Sequence, residues 1–320
     1  MNKELKKLNR QTLCLSPSLT SYSKLVSFLE YIHIVRRIIQ SSRGDFGCRV
    51  YGSDSNSPLI LIHGWPQTSY CWHHMTPYLK EHYVIAIDLR GMGDSNRSLE
   101  MDHYHKDEMA KDIFAVADVL GLKEFALGGH DWGGAIVQEM AHLEPKRITQ
   151  LIIINMVIIN NAIGEQKAAE LLIPQHYRSS WYQHLLSIKD FPEELLKDKE
   201  HIWVPFFSRG ISKPIPQDAI DEYIRCYKIP DTITTAANIY RTLKYDRNRW
   251  KRLEGQRISI PTLIIHGILD PVIIKEYLMG ADEIFTDLEI KKLKGGHFIC
   301  DEQPQMVAEA MSSFLSSQKV

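Results

Sequence analysis

Short apolar runs alternate with longer stretches of helical pattern along most of this chain. Each run ends at turn residues and is rich in Leu and β-branched side chains, which is typical of a buried parallel strand followed by a loop. The five clearest runs are PLILIHG at 58–64, YVIAIDLRG at 83–91, FALGGHD at 125–131, LIIINM at 151–156 and PTLIIHG at 261–267. This alternation predicts an α/β fold, with a mostly parallel sheet flanked by helices.

The stretch between the fourth and fifth runs has a different character. It contains no comparable strand, and it carries many aromatic residues at helical spacings. We therefore interpret residues 156–244 as a helical cap, inserted into a core of residues 31–155 and 245–320. Residues 1–30 are polar and Ser-rich, and we interpret them as an N-terminal extension without evident chemistry.

Composition excludes several classes of partner. The 320 residues carry a formal net charge of -1 with both signs evenly mixed, so there is no basic stripe for nucleic acid. The most apolar stretch, at 151–159, is too short to cross a bilayer, and no run of signal-peptide length opens the chain. We expect a cytoplasmic protein with no membrane partner and a small, weakly charged ligand. A homodimer stays open.

The five cysteines lack CxxC spacing, and their odd number argues against a disulfide framework. We expect reduced thiols, as in intracellular proteins. They are Cys14, Cys48, Cys71, Cys226 and Cys300.

Asp131 is the candidate nucleophile. It follows the third predicted strand in the segment Gly129-His130-Asp131-Trp132-Gly133, where small residues flank the central side chain on both sides. A sharp strand-to-helix turn needs such small neighbours and pushes its central residue above the sheet. The alternative is an ordinary turn in which Asp131 caps the next helix, which does not explain the flanking glycines.

Two further residues complete a candidate triad. Asp270 comes just after the fifth predicted strand, and His297 lies in a Gly-flanked loop near the end of the chain. Nucleophile, acid and His thus follow one another in the order used by triads at strand ends. Taken alone, Asp270 before Pro271 could begin a turn, and a single late His is more often a packing residue.

The segment His63-Gly64-Trp65-Pro66 follows the first predicted strand. The backbone N–H of Trp65 could face that of Trp132 across a pocket, and two converging N–H groups make an oxyanion hole. A proline-stiffened turn explains the same residues and is compatible with that role. The loop at 88–95, DLRGMGDS, is interpreted as structural support near the site.

Together, HGWP, DLRGMGDS, GGHDWGG, the Leu-Asp after a strand and the final GGHF resemble the epoxide hydrolase and dehalogenase branch of the α/β-hydrolase family, and within it the soluble epoxide hydrolases. The similarity runs from about residue 33 to the C-terminus. It implies the α/β-hydrolase fold with an inserted helical cap. Epoxide hydrolases, haloalkane dehalogenases and haloacetate dehalogenases all use an Asp nucleophile, so the motifs specify the fold more closely than the substrate.

A carboxylate nucleophile restricts the chemistry. Attack on an ester or amide carbonyl would form a high-energy anhydride, whereas attack on an electrophilic sp3 carbon forms an alkyl ester. Water activated by His297, itself oriented by Asp270, would then hydrolyse the ester on Asp131.

The leaving group, an epoxide oxygen or a halide, distinguishes epoxide hydrolases from dehalogenases within this branch of the family. An opening epoxide needs a proton donor opposite the nucleophile, which a phenol can supply. The segments around Trp181-Tyr182-Gln183 and Asn238-Ile239-Tyr240 resemble those that bear the two cap tyrosines of epoxide hydrolases, which implies that role for Tyr182 and Tyr240. We therefore expect hydrolysis of a small apolar or arylalkyl epoxide by water to a vicinal diol.

Two alternatives stay open. Haloacetate dehalogenases place arginines beside the nucleophile, where this chain has Trp132 and Ala135, and haloalkane dehalogenases often carry Asn where it has Trp65. Because of these differences, a haloalkane or haloacetate dehalogenase is only the second hypothesis for the function. The third is a non-catalytic ligand-binding protein, for which a degraded triad would be expected.

No cofactor and no metal site are predicted. The glycines around Asp131 spell neither a dinucleotide fingerprint nor a P-loop. Neither His73-His74 nor His103/His105 has the helical i, i+4 spacing or a nearby Cys/carboxylate set that would define a zinc site.

Overall fold

The computed structural model describes residues 35–172 and 180–317, which are built around an eight-stranded sheet. The order across the sheet is β1-β2-β4-β3-β5-β6-β7-β8. Strand β2 is antiparallel to both of its neighbours, and all other pairs are parallel. The strands are β1 (Val35–Ser41), β2 (Gly44–Tyr51), β3 (Ser57–Ile62), β4 (His82–Ile87), β5 (Phe125–His130), β6 (Ile148–Ile154), β7 (Thr262–Gly267) and β8 (Leu288–Leu293).

The predicted mostly parallel sheet and all five predicted strands are confirmed, as β3 to β7. Three strands were not predicted. Strands β1 and β8 lie at the two edges and carry mixed polar sequences, VRRIIQS and LEIKKL, because one edge and much of their faces meet solvent. Strand β2 pairs with the edge strand and contains two glycines, which weaken the local signal.

Helices cover the sheet and also fill the long connection between β6 and β7. In the core, α1 packs on α2, and α2 packs on β5 and β6. The helices are α1 (Lys106–Val119), α2 (Trp132–Leu143), α3 (Ala162–Leu172), α4 (Trp181–Ser187), α5 (Phe191–Leu196), α6 (Glu200–Phe207), α7 (Gln217–Tyr227), α8 (Thr232–Arg241), α9 (Leu243–Leu253), α10 (Ala281–Ile284), α11 (Ile299–Glu302) and α12 (Pro304–Ser317). Short 3-10 helices span Ser69–Tyr78, Met101–Tyr104, Pro145–Arg147 and Lys275–Leu278.

Between β6 and β7 the described residues form helices α3 to α9 and no strand. The predicted end of the cap after residue 244 falls inside α9, so that helix would span the boundary between cap and core. The predicted extension at 1–30 lies outside the described residues. In the part of the chain that the structure describes, no helix is both long and apolar enough to cross a membrane.

Four of the five cysteines lie in the described residues, and Cys14 lies outside them. Cys48, Cys71, Cys226 and Cys300 are buried and free of disulfide bonds.

A buried lysine at the start of α1 ties the core to helix α8. Lys106 is fully buried, and its Nζ lies 2.7 Å from Asp246 Oδ2 and 2.5 Å from the carbonyl oxygen of Ile239. The same ammonium group stands over the Trp132 ring at 4.8 Å. Because a buried charge is tolerated only when paired and hydrogen-bonded, these contacts hold the end of α8 against the core.

Candidate active site

Asp131 occupies the sharp turn between β5 and α2, with a backbone φ of 51°. The turn is closely packed: a Cβ on Gly129 would lie 2.3 Å from the Gly133 carbonyl oxygen, and one on Gly133 would lie 2.1 Å from the Ile62 carbonyl oxygen. Side chains at these two positions would therefore break the turn. The Asp131 side chain does not cap α2 but points to His297.

The three predicted triad residues come together and are all buried. His297 Nδ1 lies 2.7 Å from Asp270 Oδ2, and His297 Nε2 lies 3.3 Å from Asp131 Oδ2. Asp270 Oδ1 in turn accepts backbone N–H bonds from Val272 at 2.8 Å and Ile273 at 3.0 Å. The acid is thus fixed by its own loop and orients the imidazole toward Asp131.

Asp131 and His297 stabilise each other in their charged forms. Burial would lower the pKa of His297, but the carboxylates of Asp270 and Asp131 raise it to about 10. Burial would raise the pKa of Asp131, but the hydrogen bond and charge of His297 hold it below its usual value. The resting site is therefore an ion pair between an ionised Asp131 and a protonated His297.

Two backbone N–H groups converge on the same carboxylate. Trp65 N donates to Asp131 Oδ1 at 2.8 Å, and Trp132 N hydrogen-bonds to the carboxylate from the start of α2. A Cβ on Gly64 would lie 2.2 Å from Asp131 Oδ1, so only glycine lets the loop approach so closely. This is the geometry expected of an oxyanion hole for a tetrahedral centre on Asp131 itself.

Helices α4 and α8 bring Tyr182 and Tyr240 to the same region. The Tyr182 ring stacks on Trp65 with centroids 5.2 Å apart, and Tyr240 meets Trp132 edge-on at 5.4 Å. The two phenol rings are 6.0 Å apart. Burial raises the pKa of both phenols, and the negative charge of Asp131 raises it further, so both remain protonated donors.

The family model for the alpha/beta hydrolase fold matches residues 57–304 of this chain. The chain belongs to the α/β-hydrolase fold family.

Several curated relatives of this α/β hydrolase carry the name epoxide hydrolase. Epoxide hydrolase 1 of Caenorhabditis elegans is 27% identical over 272 residues, covering 83% of this chain and 66% of the relative, slightly under two thirds of its length. The soluble epoxide hydrolase of Corynebacterium sp. (strain C12) is 26% identical over 273 residues, covering 82% of this chain and 91% of the relative. The solved structure of the epoxide hydrolase CorEH without ligand matches with a TM-score of 0.72 at 26% identity, covering 90% of this chain and 100% of the other.

Two cavities of the α/β hydrolase reach the candidate site. The first reaches Asp131 and Trp132 and is otherwise walled largely by apolar side chains of the β6 end and of α9. The second reaches His297 and Trp65 and is walled by aromatic residues of α4 and α6. Tyr182 lines both cavities, together with Leu172 and Val272.

The loop after β4 supports the site, as its sequence predicts. Asp88 Oδ1 accepts from the backbone N of Ser69 at 2.7 Å, and its Oδ2 accepts from that of Asp94 at 2.9 Å. Asp88 thus fixes two loops on the side of the sheet next to the Trp65 turn.

Asn155 is a supporting residue that sequence analysis missed. It follows β6 with a φ of 44°, a conformation that Asn tolerates better than most residues. Its Nδ2 donates to the carbonyl oxygens of Gly296 and His297, both at 2.9 Å, and its Oδ1 accepts from Gly267 N at 2.7 Å. A polar residue directly after a central strand was the available signal, but its partners lie more than a hundred residues away in sequence.

We expect Asn155→Ala to lower turnover by roughly 10- to 100-fold, because misplacing a catalytic group by about 1 Å costs about this much. The loss should fall on the step that uses His297, since the Asn155 amide holds that residue's carbonyl. Steady-state and single-turnover rates would measure it. Asn155→Gly is the matched control, because glycine accepts the positive φ without the amide. A fully active Gly variant would show that backbone strain, not the hydrogen bonds, causes the loss.

We expect Asp131→Asn to lower the pKa of His297 below the wild-type value of about 10. Removing the carboxylate removes one of the two negative charges that favour the imidazolium, while Asp270 and burial remain. A titration of 15N-labelled histidine followed by NMR measures both values. An unchanged pKa would mean that Asp270 alone sets the protonation of His297.

Proposed function

We propose that this α/β hydrolase is an epoxide hydrolase that opens an epoxide to a vicinal diol through an alkyl ester on Asp131. One observation carries the proposal. A carboxylate held by two N–H groups and a protonated imidazole lies in a cavity that the Tyr182 phenol lines, and the Tyr240 ring lies 6.0 Å from that of Tyr182. The names of the curated relatives support the same activity.

The two oxygens of Asp131 would have separate roles. Oδ1 accepts from Trp65 N and sits in the proposed oxyanion hole, whereas Oδ2 contacts His297. We infer that Oδ2 attacks the epoxide carbon, because Oδ1 must stay in place to take up the negative charge when the ester is hydrolysed. The new C–O bond forms as the epoxide C–O bond breaks.

The opening epoxide oxygen would take a proton from a cap phenol. Two phenols near the leaving oxygen can share this role, one donating its proton while the other hydrogen-bonds. The resulting tyrosinate would recover its proton from His297, which is protonated in the resting site. The first half of the cycle would thus move one proton, overall, from the His297 imidazolium to the former epoxide oxygen, which becomes a hydroxyl group of the ester intermediate.

That transfer would prepare His297 for the second half. Esterified Asp131 no longer carries the negative charge that favours the imidazolium, so the pKa of His297 falls and a neutral base becomes available. His297 would then take a proton from water as the water oxygen attacks the Asp131 carboxyl carbon. The N–H groups of Trp65 and Trp132 would stabilise the oxyanion until it collapses and breaks the bond to the diol oxygen. The departing alkoxide would take the proton of the new Asp131 carboxyl group, which releases the diol and restores the carboxylate beside the protonated His297.

The cavity walls favour an apolar or arylalkyl epoxide. Aromatic rings of Trp65, Phe207 and Trp181 pack around the second cavity, and the first has Met, Val and Ile walls near Asp131. Such walls gain from burying apolar substituents. Apart from the triad residues, the charged lining residues are few: Glu165 and Arg247 in the first cavity and Arg209 in the second.

The test is a panel of styrene-type and aliphatic epoxides, haloalkanes and aryl esters, with diol, halide and phenol read out separately. We expect diol from at least one epoxide class, and no turnover by Asp131→Asn. Turnover of esters alone would contradict the proposal. A haloalkane dehalogenase is the second candidate, because the Trp132 indole lines the cavity beside Asp131 and could hold a halide; halide release without diol would favour it.

A further inference from the structure

A cluster of potential metal ligands lies where the Ser69–Tyr78 helix of the core meets helix α7. His73 and His74 are adjacent on the first element, and Asp218 lies in the first turn of the second. One ligand atom from each of the three residues lies within 4.8 Å of the other two. No carboxylate stands near the His pair in sequence, and only the fold brings Asp218 to it.

The distances suit a small divalent ion. Zinc binds imidazole nitrogen and carboxylate oxygen at about 2.0–2.2 Å, so neighbouring ligands of a tetrahedral ion are about 3.4 Å apart. His74 Nε2 and Asp218 Oδ2 are already 3.1 Å apart. The remaining gaps would have to close by no more than about 1.4 Å, which side-chain rotation can supply.

The surroundings hold these side chains in place. Tyr70 donates its phenolic proton to Asp218 Oδ2 at 2.8 Å, the kind of outer-shell bond that orients a ligating carboxylate. The His73 ring stacks on Tyr70 with centroids 4.7 Å apart. Among the described residues, the Nδ1 atoms of His73 and His74 are buried without a hydrogen-bond partner. No acceptor therefore ties up these nitrogens, and a proton on Nδ1 of His74 would leave the lone pair of its Nε2, the atom beside Asp218, free for a metal.

We propose that His73, His74 and Asp218 form a binding site for Zn²⁺ or a similar borderline transition-metal ion, completed by water. Two imidazoles and one carboxylate are a donor set that zinc uses with an open fourth position. The proposal is independent of the epoxide hydrolase proposal, because none of these residues lines either cavity at Asp131.

The ion would link α7 to the core. Helix α7 already makes several polar contacts to the core. In the most buried of them Tyr223 donates to Asp301 Oδ2 at 2.7 Å, and Gln67 Nε2 donates to the same oxygen at 2.7 Å. A metal at the first turn of α7 would add a further attachment at the N-terminal end of the same helix. Because metal binds the assembled site and not the unfolded chain, it should stabilise the fold.

The alternative interpretation of this cluster is a simple ion pair between His74 and Asp218 that binds no metal. The test uses the full chain, stripped with a chelator and titrated with Zn²⁺ by calorimetry at pH 7.5. We expect one equivalent to bind, and a rise in Tm of about 5 °C at a zinc concentration of about 100 Kd. Co²⁺ should bind to the same site and give visible d–d absorption bands, a readout that an ion pair cannot produce.

Each of His73→Gln, His74→Gln and Asp218→Asn should weaken zinc binding by at least about tenfold, whereas His201→Gln, an exposed histidine on α6, should not. Tm values in chelator show whether each variant is folded, so a misfolded one is not mistaken for a ligand loss. The proposal is overturned if the wild type takes up no stoichiometric zinc. It is also overturned if the three variants bind zinc as tightly as His201→Gln.

Discussion

In His297→Gln, a single turnover with a reactive epoxide should leave the substrate esterified to Asp131. Alkylation needs the carboxylate but no general base, whereas hydrolysis of the ester needs a base to activate water. Turnover should fall by about 10²- to 10⁴-fold, the usual contribution of a positioned acid–base group. Mass spectrometry of the quenched and digested variant would locate the added mass on the peptide that contains Asp131.

Two controls sharpen this experiment. Asp131→Asn should show no adduct, because the amide is a poor nucleophile, and His201→Gln should turn over at the wild-type rate without accumulating ester. An unmodified Asp131 in His297→Gln, under conditions in which the wild type makes diol, would rule out the covalent route. Water would then have to attack the epoxide directly.

The double variant Tyr182→Phe/Tyr240→Phe should nearly abolish alkylation. The epoxide oxygen opens as an alkoxide, and the double variant removes both of the proton donors proposed for it. Each single Phe variant should slow alkylation by roughly 10- to 1000-fold, since one phenol remains to donate. Hydrolysis of the preformed ester should change much less, because the phenols face the alcohol oxygen and His297 serves the carboxyl carbon.

Pre-steady-state rates on a chromogenic or fluorescent epoxide separate the two steps. Tyr245→Phe is the matched control, because Tyr245 also lies on a helix before β7 but stacks on His105 and lines neither cavity. Wild-type alkylation in the double variant would refute the role of the phenols. If the wild type releases halide from haloalkanes and makes no diol from epoxides, the dehalogenase hypothesis replaces the epoxide hydrolase one.

Local sequence was sufficient to predict the central sheet and the residues at its strand ends. Strands β3 to β7 are largely buried on both faces, so each contains a continuous apolar run that is recognisable in the sequence. Asp131, Asp270 and Trp65 each follow such a run within a few residues, and the ends of parallel strands meet at one edge of a sheet. That geometry is why a linear pattern could name the candidate site.

The edge strands β1 and β8 could not be predicted from such apolar runs. Strand β1 is exposed along most of its length, and β8 alternates irregularly between partly buried and exposed positions. Their strand conformation comes from pairing with a neighbour and not from their own side chains, because β-propensity depends strongly on context.

What the sequence by itself determined is therefore the α/β fold, the order of the triad and the flanking glycines. What only the tertiary structure decided is which distant polar groups meet. Asn155 bonds to the loops at Gly267 and His297, Lys106 pairs with Asp246, and Asp218 reaches the His73-His74 pair. Each of these contacts joins segments between 100 and 150 residues apart, and no periodicity or local spacing encodes such a meeting. The buried polar groups find their partners only after the apolar strands and helices have packed, because that packing is what removes them from water.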